Sequence, residues 1–327
     1  MLSQHFDVIV TAGDRKASRP VLGASKAFLP VAGAPIITHV LSAVERARCP
    51  SRIFVVGDIA QLEKALASPH SPFRGTCPLV LLEQGQTLYE NVWNAFLHTL
   101  PGYTPGMEWQ GYIDTEAVDK AVLVMPGDMP LATPNEIDAF VDGCDLTLYD
   151  YCLGLSSDTV LRAYYPQPER LGIRLAYFTL RDLRVRQNNL HLVKPFRLGN
   201  RSYIQKVYEY RYQREWGNIL KMCWELCRTQ RGSFHFLGYF LSLHVARFLR
   251  HLGWQQTILA RPFFLELPVI CSFLSQLLQT RFTTVLTPLG GCALDVDNAE
   301  HYAAVCANFH DWIAYQQHLA RELKSQE

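Results

Sequence analysis

The most informative part of the sequence runs from Phe6 to Val44 and reads FDVIVTAGDRKASRPVLGASKAFLPVAGAPIITHVLSAV. It begins with an apolar segment at residues 8–10 that stops at Thr11-Ala12-Gly13, a pattern typical of a buried strand followed by a small-residue turn. After a polar loop, apolar residues between Ile36 and Val44 recur at helical spacing, and Pro35 suits the first turn of a helix. The order of strand, loop and helix predicts the first βα unit of an α/β protein.

The loop between this strand and this helix combines glycine with cationic side chains. Asp14 is followed by Arg15, Lys16 and Arg19, and Lys26 precedes the next apolar step. Backbone N–H groups in such a loop can point at a phosphate, and Lys and Arg can neutralise it. Neither GxxxxGK[ST] nor GxGxxG occurs, which excludes the P-loop and the dinucleotide fingerprint. The alternative interpretation is an ordinary βα unit with a solvated loop.

The composition is that of a globular protein with a large core. The chain has 327 residues, of which 49% are hydrophobic and 19% are charged, and its net charge of +1 gives no reason to expect a nucleic-acid partner. The most apolar stretch, residues 234–249, is interrupted by histidine and arginine and is too short to span a bilayer. Nine scattered cysteines without a CxxC pair, and no basic-then-apolar leader, favour reduced thiols in a cytoplasmic protein.

Strand-like and helix-like segments alternate along the first half of the chain. We predict further strands at residues 52–57, 79–82, 120–125 and 146–149, and helices at 59–66, 88–100 and 134–141. Short connections between such segments predict a mostly parallel sheet flanked by helices over residues 1–155. In parallel sheets, ligands bind beyond the carboxyl ends of the strands. The basic loop, the 83–91 stretch and Asp128 all fall at that predicted edge.

Two amides follow the third predicted strand. Gln84 and Asn91 each pair a donor with an acceptor, as recognition of a nucleobase edge requires. A polar start to the next helix explains the same residues equally well.

Asp128 follows a nearly all-apolar strand in the sequence VLVMPGDMPL. A carboxylate at that position is a hard oxygen ligand, and Mg²⁺ in proteins takes one or two carboxylates together with substrate phosphates. Gly127 allows a close approach of backbone or substrate. The alternative is a turn aspartate that accepts backbone N–H groups.

A second acidic site lies late in the chain, in LDVDNAE. If residues 293–297 are a strand, then Asp295 and Asp297 point to the same side. Asp297 also begins a D-x-x-E helix-cap pattern, so both a cap and a metal ligand fit it. We favour Asp297 over Asp295 as the ligand.

Four of these motifs together resemble the molybdenum-cofactor and sugar-phosphate nucleotidyltransferases. That family has a small-residue AGG-type loop, a PK(A/L)L-type lysine before a V-x-G-x-P helix start, a GD-x-P-L stretch and a late D-x-D segment. The matching positions here are TAGD at 11–14, SKAFLPVAGAP at 25–35, GDMPL at 127–131 and LDVDNAE at 294–300. The resemblance covers about residues 1–150 and 283–310, and it implies a GT-A-like fold.

The resemblance also implies roles for individual residues. Lys26 with Arg15 or Arg19 would stabilise the transferring phosphate. The nucleotide would contact the residues Ala12, Gly13, Asp14, Gln84 and Asn91. Asp128 and Asp297, and less strongly Asp295, would hold Mg²⁺. The chain departs from the family at Asp14, where a second glycine is usual, and at residues 298–301, where T-P-E-D is usual.

The implied activity is transfer of a nucleoside monophosphate from a nucleoside triphosphate to a phosphorylated small-molecule acceptor, with release of pyrophosphate. A GT-A glycosyltransferase that uses Asp295-Val296-Asp297 as a DxD motif is one alternative. A nucleotide-binding protein that has lost turnover is another. The sequence leaves open which nucleotide and which acceptor are used.

Residues 156–280 are expected to form a mainly helical insertion, after which residues 281–327 complete the α/β domain with strands and a final helix at about 300–323. Residues 234–250, FHFLGYFLSLHVARFLR, are apolar nearly all round, which favours burial. Alternatively, their basic end at Arg247, Arg250 and His251 marks a homodimer contact, or faces a membrane surface or a lipid-linked phosphorylated substrate.

Overall fold

The three-dimensional structure, a computed structural model, describes residues 5–14, 20–201 and 264–326, with Val245 alone between the last two ranges. Arg15 and Arg19 lie outside the described residues. So does the aromatic stretch 234–250 apart from Val245, and the hypotheses about dimer contact and lipid-linked substrate therefore stay predictions.

The described strands and helices follow one another as an α/β protein requires. The strands are β1 (Phe6–Thr11), β2 (Pro30–Val31), β3 (Ala34–Pro35), β4 (Pro50–Gly57), β5 (Leu79–Glu83), β6 (Val122–Pro126), β7 (Tyr151–Ser157), β8 (Phe178–Thr179), β9 (Arg184–Val193) and β10 (Phe282–Thr287). The helices are α1 (Ile36–Glu45), α2 (Ile59–Leu66), α3 (Leu88–Thr99), α4 (Pro134–Asp142), α5 (Asp158–Leu161), α6 (Leu267–Leu278) and α7 (Ala299–Gln326).

One large sheet organises the described residues. Its strand order is β10-β7-β9-β6-β1-β4-β5, with β8 paired to β9. The pairs β1–β4, β1–β6, β4–β5 and β10–β7 are parallel, whereas β9 is antiparallel to both β6 and β7. The predicted mostly parallel, GT-A-like sheet is confirmed.

The central strand β1 explains why both faces of the sheet are covered. Val8 and Val10 pack in the core cluster that includes α1, α4 and α7, whereas Ile9 packs in the cluster that includes α3. Alternate residues of a strand point to opposite faces, so an unbroken apolar run requires helices on both sides. No helix among the described residues is long and apolar enough to cross a membrane.

The predicted helix starts are confirmed by their caps. Asp58 accepts a hydrogen bond from the Gln61 backbone N–H at 2.9 Å and so caps α2. Thr133 accepts one from the Glu136 N–H at the start of α4, with Pro134 in the first turn. These contacts satisfy N–H groups that a helix start leaves without partners.

The strand predicted at residues 146–149 is wrong. Asp145 Oδ1 accepts hydrogen bonds from Thr147 and Leu148 N–H groups, which fold these residues into a turn, and the strand follows as β7. An aspartate that bonds the backbone two and three residues on stabilises a turn against an extended chain.

The strand predicted at residues 293–297 is also wrong. A 3-10 helix occupies Gly291–Ala293, and residues 294–297 have no regular secondary structure. Side chains satisfy the backbone there: Glu136 Oε2 accepts from Cys292 N–H at 2.9 Å and Gln316 Oε1 accepts from Gly291 N–H at 3.1 Å. A segment whose N–H groups are already bonded has no need of a strand ladder.

The predicted helical insertion 156–280 contains a central strand of the sheet, β9. The paired asparagines Asn188 and Asn189 lie inside β9, at a register shift opposite Leu153 and Leu155. Asn189 adopts a left-handed backbone with φ of 64°, and Asn188 donates to Thr287 Oγ1 at 3.0 Å in the core. The asparagines therefore form an irregularity within a strand.

Candidate active site

A small hairpin presents Lys26 at the edge of the sheet. Lys26 lies in the 3-10 helix Lys26–Phe28, just before the paired strands β2 and β3. The two residues between these strands, Ala32 and Gly33, have φ of 48° and 82°, as a type I′ hairpin turn needs. The Tyr302 hydroxyl of α7 donates to Pro30 O at 2.6 Å and ties the hairpin to the last helix.

Lys26 brings together two carboxylates that are distant in sequence. Its Nζ donates to Asp297 Oδ1 at 2.9 Å and lies 3.9 Å from Asp128 Oδ2. The two acidic segments are joined by their backbones as well, because Val296 N–H donates to Asp128 O at 3.2 Å. The side chain of Lys26 is 13% exposed and that of Asp128 is 22% exposed, so both are partly withdrawn from water.

The charges of this cluster shift its pKa values in opposite directions. Burial and the nearby Asp295 carboxylate raise the pKa of Asp128 to about 7, even though Lys26 acts to lower it. Burial would raise the pKa of Asp297, but the hydrogen bond and charge of Lys26 outweigh it and hold that pKa below its usual range. The pKa of Lys26 is raised, because Asp128 and Asp297 outweigh the effect of its burial. Within this cluster, Asp128 is therefore the carboxylate whose negative charge is most disfavoured by its surroundings.

The cap of α7 separates the two roles that the sequence left open for Asp297. Asn298 Oδ1 accepts a hydrogen bond from His301 N–H at 2.8 Å, as an N-cap residue does. Asp297 is consequently not needed as a cap, and its carboxylate faces Lys26.

Asp295 faces a different partner. Its Oδ1 accepts a hydrogen bond from Arg186 Nη2 at 2.8 Å, and Arg186 Nε donates to Ala293 O at 3.0 Å. Asp295 is buried, whereas the Asp297 side chain is 44% exposed. Although they are two residues apart, the two aspartates therefore have different environments.

The predicted nucleotide-contacting residues also lie together, at the carboxyl ends of β1 and β5. Gln84 Oε1 accepts from Asp14 N–H at 2.9 Å, and Gln84 Nε2 donates to Asp14 Oδ1 at 2.8 Å. Asn91 Oδ1 accepts from Gly85 N–H at 2.6 Å. A Cβ on Gly13 would lie 2.8 Å from Asn91 Nδ2 and 3.0 Å from Gln84 Oε1, so both side-chain amides pack directly against the loop. Ala12 is buried at the end of β1.

Residues 8–160 match the family model of the MobA-like NTP transferase domain. These residues are a MobA-like NTP transferase domain. The chain therefore contains an NTP transferase domain, and the predicted family is confirmed for residues 8–160. The matched domain contains Lys26, the 11–14 loop, Gln84, Asn91 and Asp128, whereas Asp295 and Asp297 come from the part of the chain beyond it.

Three solved structures are similar to this chain, and the first of them, with a TM-score above 0.5, supports the fold. A hypothetical transferase from Thermus thermophilus is 20% identical, with a TM-score of 0.53 over 91% of this chain and 99% of that protein. A 4-diphosphocytidyl-2C-methyl-D-erythritol synthase from Anaerococcus prevotii is 9% identical, with a TM-score of 0.42 over 94% and 97% of the two chains. A CMP:2-keto-3-deoxy-manno-octonic acid synthetase in complex with CTP is 13% identical, with a TM-score of 0.43 over 94% and 99%. No curated protein matches the sequence.

The NTP transferase site has the donor set for a metal shared with a substrate. Among the described residues, no group of three or more His, Cys, Asp and Glu side chains could hold a metal ion by itself. Asp128 and Asp297 meet at Lys26, and two carboxylates plus phosphate oxygens are a set that Mg²⁺ accepts. Burial and the Asp295 carboxylate raise the pKa of Asp128, so a proton or a cation beside this carboxylate would offset its charge.

Arg186 is the site residue that sequence reasoning missed. Its signal in the sequence was the alternation Arg184-Val185-Arg186, which places two guanidiniums on one side of a strand. Because β9 runs antiparallel to β7, the start of β9 lies at the carboxyl end of β7, which is the ligand edge of the sheet. The direction of β9 could not be read from the sequence, so neither could the place of Arg186.

Proposed function

We propose that this nucleotidyltransferase moves a nucleoside monophosphate from a nucleoside triphosphate to a phosphorylated acceptor, with Mg²⁺ as cofactor and pyrophosphate as the leaving group. The observation that carries the proposal is the contact of Lys26 Nζ with Asp297 at 2.9 Å, beside Asp128 at 3.9 Å. A cation that lies between two carboxylates at the ligand edge can contact a phosphate and an acidic metal site at the same time.

In the proposed reaction an acceptor phosphate oxygen attacks the α-phosphorus, and the bond from that phosphorus to the bridging oxygen breaks. The electron pair leaves with pyrophosphate. Lys26 stabilises the negative charge that develops on the α-phosphate oxygens, and Asp128 and Asp297 hold the metal. Mg²⁺, when bound, neutralises phosphate charge and orients the phosphates for in-line displacement. Positioning and electrostatic stabilisation thus supply the rate acceleration.

The loop after β1 would cradle the triphosphate, with Gly13 and Asp14 held from below by Gln84 and Asn91. Gln84 Nε2 donates to the Asp14 carboxylate at 2.8 Å, so part of that carboxylate is already engaged within the protein. The departure from the family's second glycine is therefore compatible with nucleotide binding.

The glycosyltransferase alternative is less well supported. In this alternative Asp295-Val296-Asp297 acts as a DxD motif at the metal, whereas the Asp295 carboxylate is bonded to Arg186 while Asp297 lies at Lys26 beside Asp128. The same contacts are what a nucleotidyltransferase with a single late metal ligand would have.

The test is a turnover assay with ATP, CTP, GTP and UTP, each with Mg²⁺, inorganic pyrophosphatase and a panel of sugar 1-phosphates, sugar acid phosphates and phospho-alcohols. We expect phosphate release that requires one nucleotide, one acceptor class and Mg²⁺, and mass spectrometry should show a nucleoside diphosphate-linked product. Nucleotide binding without turnover for every acceptor would support the non-catalytic alternative. In a parallel assay that offers nucleotide sugars in place of the triphosphates, release of nucleoside diphosphate would support the glycosyltransferase.

A further inference from the structure

The late acidic segment, residues 293–297, begins at the last residue of the 3-10 helix, has no regular secondary structure from Leu294 onward and depends on contacts from its neighbours. On one side Val296 N–H donates to Asp128 O at 3.2 Å. On the other side the guanidinium of Arg186 bonds both the Ala293 carbonyl and the Asp295 carboxylate, at 3.0 and 2.8 Å. Arg186 therefore clasps the segment at two points, on either side of Leu294.

Arg186 is anchored more firmly than the segment that it holds. It lies on β9, where it pairs with Ser156 of β7, and its side chain is 18% exposed. A residue on a paired strand keeps its position better than a loop residue does, and a planar guanidinium that donates from two nitrogens fixes direction as well as distance. The strand can thus set the path of the segment.

The segment ends at Asp297, whose carboxylate lies beside Lys26 and is proposed above to hold the metal with Asp128. We propose that Arg186 is a positioning residue for this carboxylate: by clasping Ala293 and Asp295 it places Asp297 in the metal site. Asp295 then serves as the anchor of the segment and is not itself a metal ligand. This inference rests on the proposed metal site.

Positioning and simple electrostatics predict opposite results when the arginine is removed. Loss of a positive charge near a dication site should tighten metal binding, because the site becomes more negative. Loss of the clasp should weaken metal binding, because Asp297 is no longer held in place. Residues that orient metal ligands typically cost 10- to 100-fold in affinity when they are changed.

The experiment measures the binding of Mn²⁺ to the full-length protein, first alone and then with each nucleoside triphosphate, by electron paramagnetic resonance of the free ion against a protein-free control that contains the same nucleotide. The variants are R186Q, R186K and, as a matched control, R184Q. Arg184 lies two residues earlier on β9, but its partner is Asp158 at 3.3 Å. R184Q removes the same charge from the same strand without touching residues 293–297.

We expect R186Q to weaken Mn²⁺ binding roughly 10-fold or more. R186K keeps the charge but cannot donate from two fixed nitrogens, so its affinity should be intermediate, and R184Q should bind as the wild type does or slightly more tightly. R186K also tests the inference if R186Q fails to fold. Wild-type or tighter binding by folded R186Q or R186K would overturn the positioning role alone. A wild-type protein that binds no Mn²⁺, either alone or with any nucleoside triphosphate, would overturn the metal site, and the positioning role with it.

Discussion

Lys26 belongs to both halves of the site. It follows the phosphate-loop candidate in the sequence and contacts the two acidic segments in space, at 2.9 Å from Asp297 and 3.9 Å from Asp128. Asp128 raises the pKa of Lys26, although burial acts to lower it. The ammonium therefore stays charged across the working pH range, as a residue that stabilises phosphate charge must.

Lys26→Ala should slow nucleotidyl transfer by roughly 10²–10³, the usual cost of deleting one preorganised charge stabiliser. Initial rates under saturating nucleotide and acceptor measure this. Lys64→Ala is the control, because Lys64 lies exposed on α2. A wild-type rate for Lys26→Ala would show that Lys26 is only an ion-pair partner of the aspartates.

Asp128→Asn should abolish metal-dependent nucleotide binding and leave the fold intact. The raised pKa of Asp128 means that its charge opposes folding at neutral pH, so the amide should unfold at the same temperature as the wild type or higher. A thermal-shift titration with each nucleotide, with and without Mg²⁺, measures both effects. Nucleotide at 100 times its Kd should raise wild-type stability by about 2.7 kcal/mol.

Asp311→Asn on the exposed face of α7 is the control for that titration and should respond to Mg²⁺ and nucleotide as the wild type does. An unchanged Mg²⁺ dependence in Asp128→Asn would remove Asp128 from the metal site.

At the scale of elements, a buried carboxylate links α4 to the connection after β10. Glu136 is fully buried, accepts from Cys292 N–H at 2.9 Å and accepts from the Thr287 hydroxyl at 3.3 Å. Burial raises the pKa of Glu136 to about 7, and the hydrogen bonds that it accepts offset this only in part. This network lies directly upstream of residues 293–297 and holds their starting point.

Because the pKa of Glu136 is raised, the free energy of unfolding should depend on pH. The folded state binds a proton on Glu136 more tightly than the unfolded state does, where the pKa is about 4.5. Protonation of Glu136 therefore stabilises the folded state, fully below pH 4.5, and this contribution is lost as the pH rises through 7. At about 1.4 kcal/mol per pKa unit, the loss is about 3 kcal/mol. Glu136→Gln should remove the dependence, so the difference in unfolding free energy between variant and wild type should favour the variant at pH 8 more than at pH 5. Urea titrations at both values measure it, and parallel pH profiles would contradict the prediction.

Gly291 lies in close contact with Leu131, just before α4, and with Gln316 of α7. A Cβ on Gly291 would collide with the Leu131 carbonyl oxygen and the Gln316 amide. Backbone cannot yield as a flexible side chain can, so Gly291→Ala should destabilise the protein by about 1–3 kcal/mol. Gly111→Ala, where nothing lies within 4 Å, is the matched control and should stay within about 0.5 kcal/mol of wild type. Equal urea midpoints for the two variants would show that the contact is loose.

For the molecule as a whole, the carboxyl and amino edges of the sheet have different roles. The carboxyl edge collects the candidate active-site residues, whereas at the amino edge Asp7 of β1 accepts from Arg52 of β4 at 2.7 and 2.9 Å and pairs with Lys120 at 2.8 Å. Burial alone would raise the pKa of Asp7, but these two cations lower it. Its stabilisation is therefore present above about pH 4 and is lost as the pH falls further.

Asp7→Asn should cost about 2–3 kcal/mol of stability, less than a fully buried pair because both cations are partly exposed. The metal and nucleotide affinities should not change, since the residue lies at the opposite edge from the site. Asp142→Asn is the control, because its ion pair with Arg48 is exposed on both sides and should contribute less than about 1 kcal/mol. A loss of nucleotide affinity in folded Asp7→Asn would contradict this separation of the two edges.

Features that depend on local chemistry could be predicted from the order of the amino acids. Apolar runs fixed the parallel strands around β1, side-chain caps fixed the starts of α2 and α4, and the stretch from Ser25 to Pro35 identified the family. Each of these signals is contained within a few neighbouring residues, so no knowledge of the fold was required to interpret it.

Tertiary structure alone decided how the late aspartates divide their roles. The sequence favoured a strand at residues 293–297 with Asp295 and Asp297 on one side, but Glu136 and Gln316 satisfy the backbone just before them, and no strand forms. Asn298 then caps α7, Arg186 binds Asp295, and Asp297 is left to Lys26. Arg186 and Asp295 are 109 residues apart in the sequence, and Lys26 and Asp297 are 271 residues apart. Contacts over such separations depend on strand order and direction, which local patterns do not encode.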